Sequence, residues 1–359
     1  MNVGEEIVDE LAALGASRLD VFDVHSHTGR DVDGSERSAA EHVRDLDPLG
    51  GRSAIFPLCV EGGYASENRR VIAEAERHPR LVAFARLDPR REGGAEAEAA
   101  LAVGARGIKL HPRGESFRLG HPAVGGIFAA AAAAQAPVLI HAGAGVGSLG
   151  GAIVDLASEH RRAPMILAHA GISDLAWLWP LLPEHPNIYF DTAWWSPADL
   201  LALFALVPPG RILFGSDAPY MGLALGLATT LRCARNAGLG ADAVELVAGR
   251  QLEALLSSAE PLDGGPAPGP RPDLATVEGR RVTAMLTAAG GALIAGGDPA
   301  GILELAACAV ETGGDLNLDP RLPELIALAS SCGEEAVPAL VMALCLAATP
   351  AVEAAAVPA

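Results

Sequence analysis

The stretch DVHSHTG at residues 23–29 places two histidines one residue apart, directly after the apolar residues LDVF. Successive side chains of a strand point to opposite faces, so His25 and His27 would point the same way, about 6 to 7 Å apart along the chain. Two imidazoles in this arrangement can share one metal cation. They can equally be a hydrogen-bonded pair at a strand end, and the motif alone leaves both interpretations open.

Polar side chains also end several later apolar runs, namely Lys109 and His111 in GIKLH, His141 in PVLIH, His169 in PMILAH and Asp217 in RILFGSD. In a barrel of parallel strands these ends meet at one mouth, where functional groups collect. Together with the histidine pair, His141 and Asp217 would offer three imidazole nitrogens and one carboxylate. This set suits one divalent metal ion, zinc first, with manganese or iron as alternatives. Asp217 has a second interpretation, as the cap of the helix that follows it.

The elements that must position these residues follow from eight short apolar runs, at 19–25, 53–59, 81–87, 107–111, 137–141, 164–169, 187–191 and 211–217. Segments of helical composition that end in glycine or proline separate the runs. Strands that alternate with helices favour a parallel sheet with right-handed crossovers. Eight units over about 200 residues predict an α/β fold, a closed (β/α)8 TIM barrel rather than an open doubly wound sheet. The first turn also lacks GxGxxG, which disfavours a dinucleotide site.

The domain organisation follows from a change of composition near residue 260. We assign residues 1–260 to the barrel, the Pro/Gly-rich residues 261–273 to a linker, and residues 274–359 to a small all-α segment of four short helices. This C-terminal helical appendage is aliphatic and contains no histidine. We expect its helices to pack together, and either against the barrel or against another copy of the chain, which would make a homo-oligomer.

The composition excludes several classes of partner. The chain has 359 residues and a net charge of −18, from 44 acidic and 26 basic side chains, so neither a nucleic acid nor an anionic membrane is an expected partner. The five cysteines are scattered and form no CxxC pair, which argues against a disulfide framework and fits a reducing cytoplasm. The acidic, amphipathic N-terminus lacks the pattern of a secretory signal. We therefore expect a cytoplasmic enzyme that acts on a small molecule.

The motifs DVHSHTG, RGIKLHP, PVLIHAG, ILAHAG, NIYFDT and ILFGSDAP, in this order, resemble the amidohydrolase superfamily. The most similar branch contains the aminocarboxymuconate-semialdehyde decarboxylase and the resorcylate decarboxylases. The resemblance covers roughly residues 19–256 and implies a metal-dependent barrel. His25 and His27 match the metal pair of the first strand, and His141 and Asp217 match the ligands on the fifth and eighth strands. His169 matches the sixth-strand histidine, which acts on the substrate in members with one metal.

The ligand set suggests a hydrolytic mechanism. The cation would lower the pKa of water, Asp217 would accept its proton as general base, and His169 would polarise a carbonyl group or protonate the leaving group. These roles predict a metal-dependent hydrolase of a small, carboxylated amide, ester or lactone. The same site can release CO2 from an unsaturated acid or hydrate it, so a lyase, a non-oxidative decarboxylase or hydratase, is the alternative. A barrel kept only as a non-catalytic scaffold is the third hypothesis.

Substrate binding is predicted from cations near the strand ends. Arg86, Lys109 and Arg113 would form a cationic wall in an otherwise acidic protein, with His111 and Trp194 beside it. The alternatives are surface cations that balance helix termini and a tryptophan that only packs. The arginine that often holds a carboxylate in decarboxylase-type members is not assigned, with Arg30, Arg86 and Arg113 as candidates.

Lys109 also bears on the number of metal ions. A carboxylated lysine at this position would bridge two cations, as in binuclear relatives, with His141 and His169 on the second one. An ordinary ammonium would fit one cation and bind a substrate anion. We expect a single metal ion.

Overall fold

Eight parallel strands form a barrel, as the apolar runs predicted. The computed structural model describes residues 1–32, 34–271, 276–312, 318–331 and 333–350. The barrel strands are β1 (Phe22–Arg30), β3 (Arg52–Pro57), β4 (Leu81–Leu87), β5 (Gly107–Leu110), β6 (Val138–Ile140), β7 (Met165–Leu167), β8 (Ile188–Asp191) and β9 (Ile212–Leu213), and the short β2 (Glu36–Arg37) pairs antiparallel with the end of β1. The strand order is β2-β1-β3-β4-β5-β6-β7-β8-β9. Each of the eight predicted runs overlaps one barrel strand.

The barrel closes between its last and first strands. Backbone hydrogen bonds join Val24 N–H to the Phe214 carbonyl (2.9 Å) and His27 N–H to the Ala218 carbonyl (2.7 Å). A third bond runs from Asp217 N–H to the His25 carbonyl (2.8 Å). The residues after β9 therefore run beside β1 although they are not regular strand. This closure fixes Asp217 next to the two histidines of β1.

Helices cover the outside of the barrel, since each crossover between parallel strands needs one. They are α1 (Val3–Ala13), α2 (Ala39–Leu46), α3 (Ala65–Arg77), α4 (Gly94–Ala102), α5 (Pro122–Ala134), α6 (Gly151–Glu159), α7 (Leu175–Leu178), α8 (Pro197–Leu206), α9 (Leu223–Asn236), α10 (Ala241–Glu245) and α11 (Gln251–Leu256). Leu110 belongs to the core between strands and helices, whereas the neighbouring Lys109 contacts the aromatic ring of Phe56, a residue of the inner core. The strand alternation thus places Lys109 inside the barrel, as expected.

Four further helices form the predicted C-terminal appendage: α12 (Val277–Ile294), α13 (Ala300–Thr312), α14 (Leu322–Ala329) and α15 (Ala336–Ala348). They pack on the barrel through α15, which contacts α1, α8 and α9. A buried ion pair fastens this contact, because Arg232 of α9 pairs with Glu10 of α1 and donates to the carbonyl (2.7 Å) and hydroxyl (2.8 Å) oxygens of Thr349. Of the two predicted packing partners, the structure shows the barrel.

Parts of the predicted C-terminal regions cannot be compared with the structure. Residues 272–273 of the assigned linker, and residues 274–275, 313–317, 332 and 351–359 of the assigned all-α segment, lie outside the described residues. Within the described part of the chain, none of the helices combines the length and the apolar composition that crossing a bilayer requires.

Candidate active site

The two histidines of DVHSHTG converge on Asp217. His25 is fully buried and His27 nearly so. The Nε2 atom of His25 lies 3.2 Å, and that of His27 3.1 Å, from the Oδ1 atom of Asp217. Asp217 holds this position with a left-handed backbone (φ 57°), which is uncommon outside glycine and is typical of functional sites. The capping interpretation of Asp217 is wrong, because the N-cap residue of α9 is Gly222.

The donor set of these three residues fits a divalent cation. His25 Nδ1 lies 2.7 Å from Asp191 Oδ2, so Nδ1 donates its proton there and Nε2 faces Asp217. If Nε2 carries no proton, its lone pair and the carboxylate oxygen repel each other unless a metal cation lies between them, whereas a protonated Nε2 would donate to Asp217 instead. Ligand atoms at about 2.0–2.2 Å from one Zn²⁺ stand roughly 3.0–3.5 Å apart, close to the distances here. Among the described residues, His25, His27 and Asp217 are the cluster that could hold a metal ion.

His141, the fourth predicted ligand, is not part of this cluster in the structure. Its Nδ1 lies 2.9 Å from His169 Nε2, and its Nε2 lies 3.2 Å from the Ala144 carbonyl. His169 Nδ1 lies 2.5 Å from the Ala193 carbonyl. If each ring donates to its carbonyl, two lone pairs face each other, an arrangement that a shared proton or a cation would stabilise. The predicted role of His141 as a ligand and that of His169 toward substrate both remain predictions.

Burial disfavours the protonated form of both imidazoles. Desolvation, with the nearby charge of His169, lowers the pKa of His141 to about 2. Desolvation also lowers the pKa of His169. A close approach brings the rings together, since a Cβ atom at Gly143 would lie 2.6 Å from the His169 ring. The glycine in HAGAG therefore makes room for His169.

Lys109 lies inside the barrel beside the cluster. Its side chain is fully buried, and its Nζ atom is 3.1 Å from Nε2 of His25 and 4.8 Å from the ring centre of Phe56. Desolvation lowers the pKa of the ammonium group to about 7, against the opposing charges of Asp191 and Asp217. The structure therefore brings the amino group of Lys109 next to the predicted metal site.

Of the other predicted substrate-binding residues, two have their rings next to the histidines of the site, whereas the arginines donate hydrogen bonds to other groups of the protein. His111 stacks on His141 (4.0 Å between ring centres) and the Trp194 ring lies 5.8 Å from that of His169, so both are near the histidines. Trp194 donates to Asp199 (2.7 Å), and Arg113 donates to the Ala144 carbonyl (3.2 Å).

Arg86 is in a different situation from a free substrate-binding cation. It is buried and its guanidinium forms two hydrogen bonds with Glu115 Oε1, at 2.6 and 3.0 Å. Tyr64 donates to the same oxygen (2.6 Å), and Arg86 also donates to the Pro57 carbonyl (3.1 Å). The charge of Arg86 is therefore balanced within the protein, and a role in binding a substrate carboxylate stays a prediction.

Two buried carboxylates that sequence reasoning missed support the site. Asp191 accepts from His25 Nδ1 and, with its other oxygen, from the backbone N–H groups of His169 (2.8 Å) and Ala193 (3.0 Å). It ends the run NIYFD. The strand-end rule, by which polar residues at the ends of the apolar runs were selected as site candidates, could therefore have found it.

Asp23 is the second missed carboxylate, and it links the first barrel strand to the residues that follow the last one. It accepts hydrogen bonds from the backbone N–H of His25 (2.9 Å) and of Ser216 (2.9 Å), and from the hydroxyl groups of Ser26 and Ser216 (both 2.6 Å). Burial raises the pKa of Asp23, against these hydrogen bonds. The bonds tie β1 to the residue before Asp217.

The fold is that of a TIM-barrel protein, with a candidate metal site of two histidines and an aspartate at the strand ends. Residues 24–249 match the family model described as amidohydrolase. Since this match spans more than half of the chain, the protein belongs to the amidohydrolase family, and the prediction made from the motif order is confirmed. Comparison with curated protein sequences finds no significant match.

Several solved structures share the barrel fold. IDCase of Metarhizium anisopliae in its apo form has a TM-score of 0.51 and 16% identity, over 69% of this chain and 100% of that chain. The 5-carboxyvanillate decarboxylase LigW of Sphingomonas paucimobilis has a TM-score of 0.51 and 15% identity, over 67% and 99%. The 4-oxalomesaconate hydratase LigJ of Rhodopseudomonas palustris has a TM-score of 0.50 and 16% identity, over 66% and 95%. At this identity the likeness establishes the fold.

Proposed function

We propose that the protein is a metal-dependent lyase that removes CO2 from a small carboxylic acid without an oxidant. The observation that carries this proposal is the buried amino group of Lys109, whose Nζ atom lies 3.1 Å from Nε2 of His25, a member of the His25–His27–Asp217 cluster. A metal ion and an ammonium group side by side form a site for a substrate anion. Two of the similar structures are a decarboxylase and a hydratase, and this supports lyase chemistry.

The chain's own residues have distinct tasks in this reaction. A divalent cation held by the cluster would supply a Lewis acid that stabilises negative charge on the substrate. Asp191 orients His25 by accepting its Nδ1 proton, and Lys109 balances the substrate carboxylate. When the carbon–carbon bond breaks, the electron pair stays on the substrate carbon and takes up one proton. Asp217, whose Oδ1 atom lies within 3.2 Å of both imidazoles, is positioned to pass that proton from solvent water to the carbon.

Hydrolysis is the second candidate, and the position of Asp217 favours it. A carboxylate in contact with two metal-binding imidazoles is also placed to accept a proton from water. This reaction would need a carbonyl carbon as the point of attack, in an amide, ester or lactone, rather than a carboxylate as the leaving group. The two reactions release different products and can be separated directly.

The test is a product assay on protein loaded with Zn²⁺ or Mn²⁺. Aromatic and unsaturated carboxylic acids are screened for CO2 release, and amides, esters and lactones for acid release. The controls are His27→Ala, which removes a proposed ligand, and His78→Ala, the same substitution on the outer α3–β4 connection. We expect CO2 release by the wild type and His78→Ala and its loss in His27→Ala. Acid release without CO2 would indicate the hydrolase, and neither product would favour the scaffold hypothesis.

A further inference from the structure

The C-terminal appendage forms one wall of a cavity that opens beside the candidate metal site. The cavity has a volume of about 600 Å³, within the usual range for small-molecule sites. One side consists of the loops after β8 and β9, including Trp194, Trp195 and Asp217. The opposite side consists of α12 and α15, which lie outside the part of the chain that matches the amidohydrolase family model.

The side chains from the appendage that line this cavity are mostly apolar. They include Leu293 and Ile294 of α12 and Val337 and Val341 of α15. Ile294 and Val337 are 57% and 52% exposed although they are large aliphatic residues. Apolar surface at the edge of a cavity contributes free energy when a ligand covers it.

A tight contact fixes this wall against the barrel. Gly290 of α12 packs directly on the indole of Trp195, and a Cβ atom at position 290 would lie 2.6 Å from that ring. Trp195 in turn lies beside Trp194, with ring centres 5.9 Å apart, and Trp194 faces His169. A chain of ring contacts thus runs from the appendage to the histidines of the site.

We propose that α12 and α15 form an apolar subsite that selects carboxylic acids with an alkyl or aryl extension. The inference rests on the proposed function, because the carboxylate end of such a molecule would lie at the metal ion and Lys109. Asp217 belongs both to the metal cluster and to the lining of this cavity, so the cavity that Ile294 and Val337 line adjoins the candidate metal site. The appendage therefore determines which acids bind, while the barrel performs the chemistry.

The test is a binding series on Zn²⁺-loaded protein with benzoate, 4-ethylbenzoate and 4-butylbenzoate, measured by calorimetry. Burial of each methylene contributes about 0.8 kcal/mol, so we expect affinity to rise about 4-fold per added carbon in the wild type. The double variant Ile294→Asn/Val337→Asn should bind benzoate within twofold of wild type but show little gain with chain length. The matched control is Leu305→Asn/Val277→Asn. It changes two residues of the appendage with similar exposure (56% and 68%) that do not line the cavity.

The outcomes separate this inference from the proposed function. A chain-length gradient in the wild type and the control, but not in the cavity variant, supports the subsite even if no acid is turned over, in which case the proposed reaction alone fails. The proposed subsite would be overturned if affinity rose equally with chain length in all three proteins, or if no member of the series bound. Sedimentation is measured in parallel, because a dimer that dissociates only in the cavity variant would show that a second copy covers this surface instead.

Discussion

His42 should make the stability of this protein depend on pH between 5 and 7. This residue of α2 is almost fully buried, and its Nε2 atom donates to the backbone carbonyl of His27 (2.8 Å). Desolvation lowers the pKa of His42 to about 4, from 6.5, and outweighs the hydrogen bond to His27. Between pH 6.5 and pH 4, His42 is therefore protonated in the unfolded chain but neutral in the folded protein. The free energy of unfolding falls as the pH falls through this range.

The size of the effect follows from these two pKa values. Between pH 7 and pH 5 the linkage amounts to about 2 kcal/mol of unfolding free energy, approaching 1.36 kcal/mol per pH unit near the lower end. His42→Gln removes the titration but keeps an N–H donor for the His27 carbonyl. We expect this variant to lose about 2 kcal/mol less than the wild type between the two pH values.

The measurement is urea unfolding at pH 7 and pH 5, followed by circular dichroism. The control is His78→Gln, the same substitution in the outer α3–β4 connection, away from the hydrogen bond between His42 and His27. If His42→Gln loses as much stability on acidification as the wild type and His78→Gln do, His42 is not a neutral buried histidine and the reasoning is refuted.

Three other predictions concern the metal site itself. Asp23→Ala should cost at least about 3 kcal/mol of stability, measured by urea unfolding, because it leaves the buried N–H groups of His25 and Ser216 without their acceptor. His25→Ala should lower bound metal and activity together, whereas His169→Ala should retain metal and lose turnover; equal metal loss in elemental analysis would instead make His169 a ligand. Protein grown with bicarbonate and excess Zn²⁺ should hold one ion per chain, and Lys109→Ala should keep it but raise the KM for a carboxylate substrate at least 10-fold. Two ions per chain in the parent, reduced by Lys109→Ala, would contradict the single-metal expectation.

The strand-end rule explains why much of the site could be predicted from the sequence. Period-2 alternation and the parallel barrel determine which side chains reach the mouth, so Lys109 could be assigned to the interior and Asp217 to the histidine pair. Both assignments depend on local patterns and on one global topology. The family model then confirms that topology over residues 24–249.

Residue pairings far apart in the chain could not be predicted in the same way. Asp23 lies within β1 and would pass for an ordinary polar strand residue, since its partner Ser216 is 193 residues away. Arg86 was correctly assigned to a strand end, but Glu115 in the loop after β5 takes up its charge. In both cases the deciding contact depends on tertiary packing, for which a single sequence contains no local signal.

The appendage illustrates the same point on a larger scale, because its composition suggested only packing. Its anchor is polar: the buried Arg232 joins Glu10 of α1 to Thr349 beyond α15. Breaking this pair would leave an uncompensated buried charge, and the two hydrogen bonds from Arg232 to Thr349 hold the end of α15 against α1 and α9. The apolar residues of α15 line one cavity together with the loops after β8 and β9. A segment without a single histidine can therefore shape the active site through the surface it presents, while every proposed chemical group remains on the barrel.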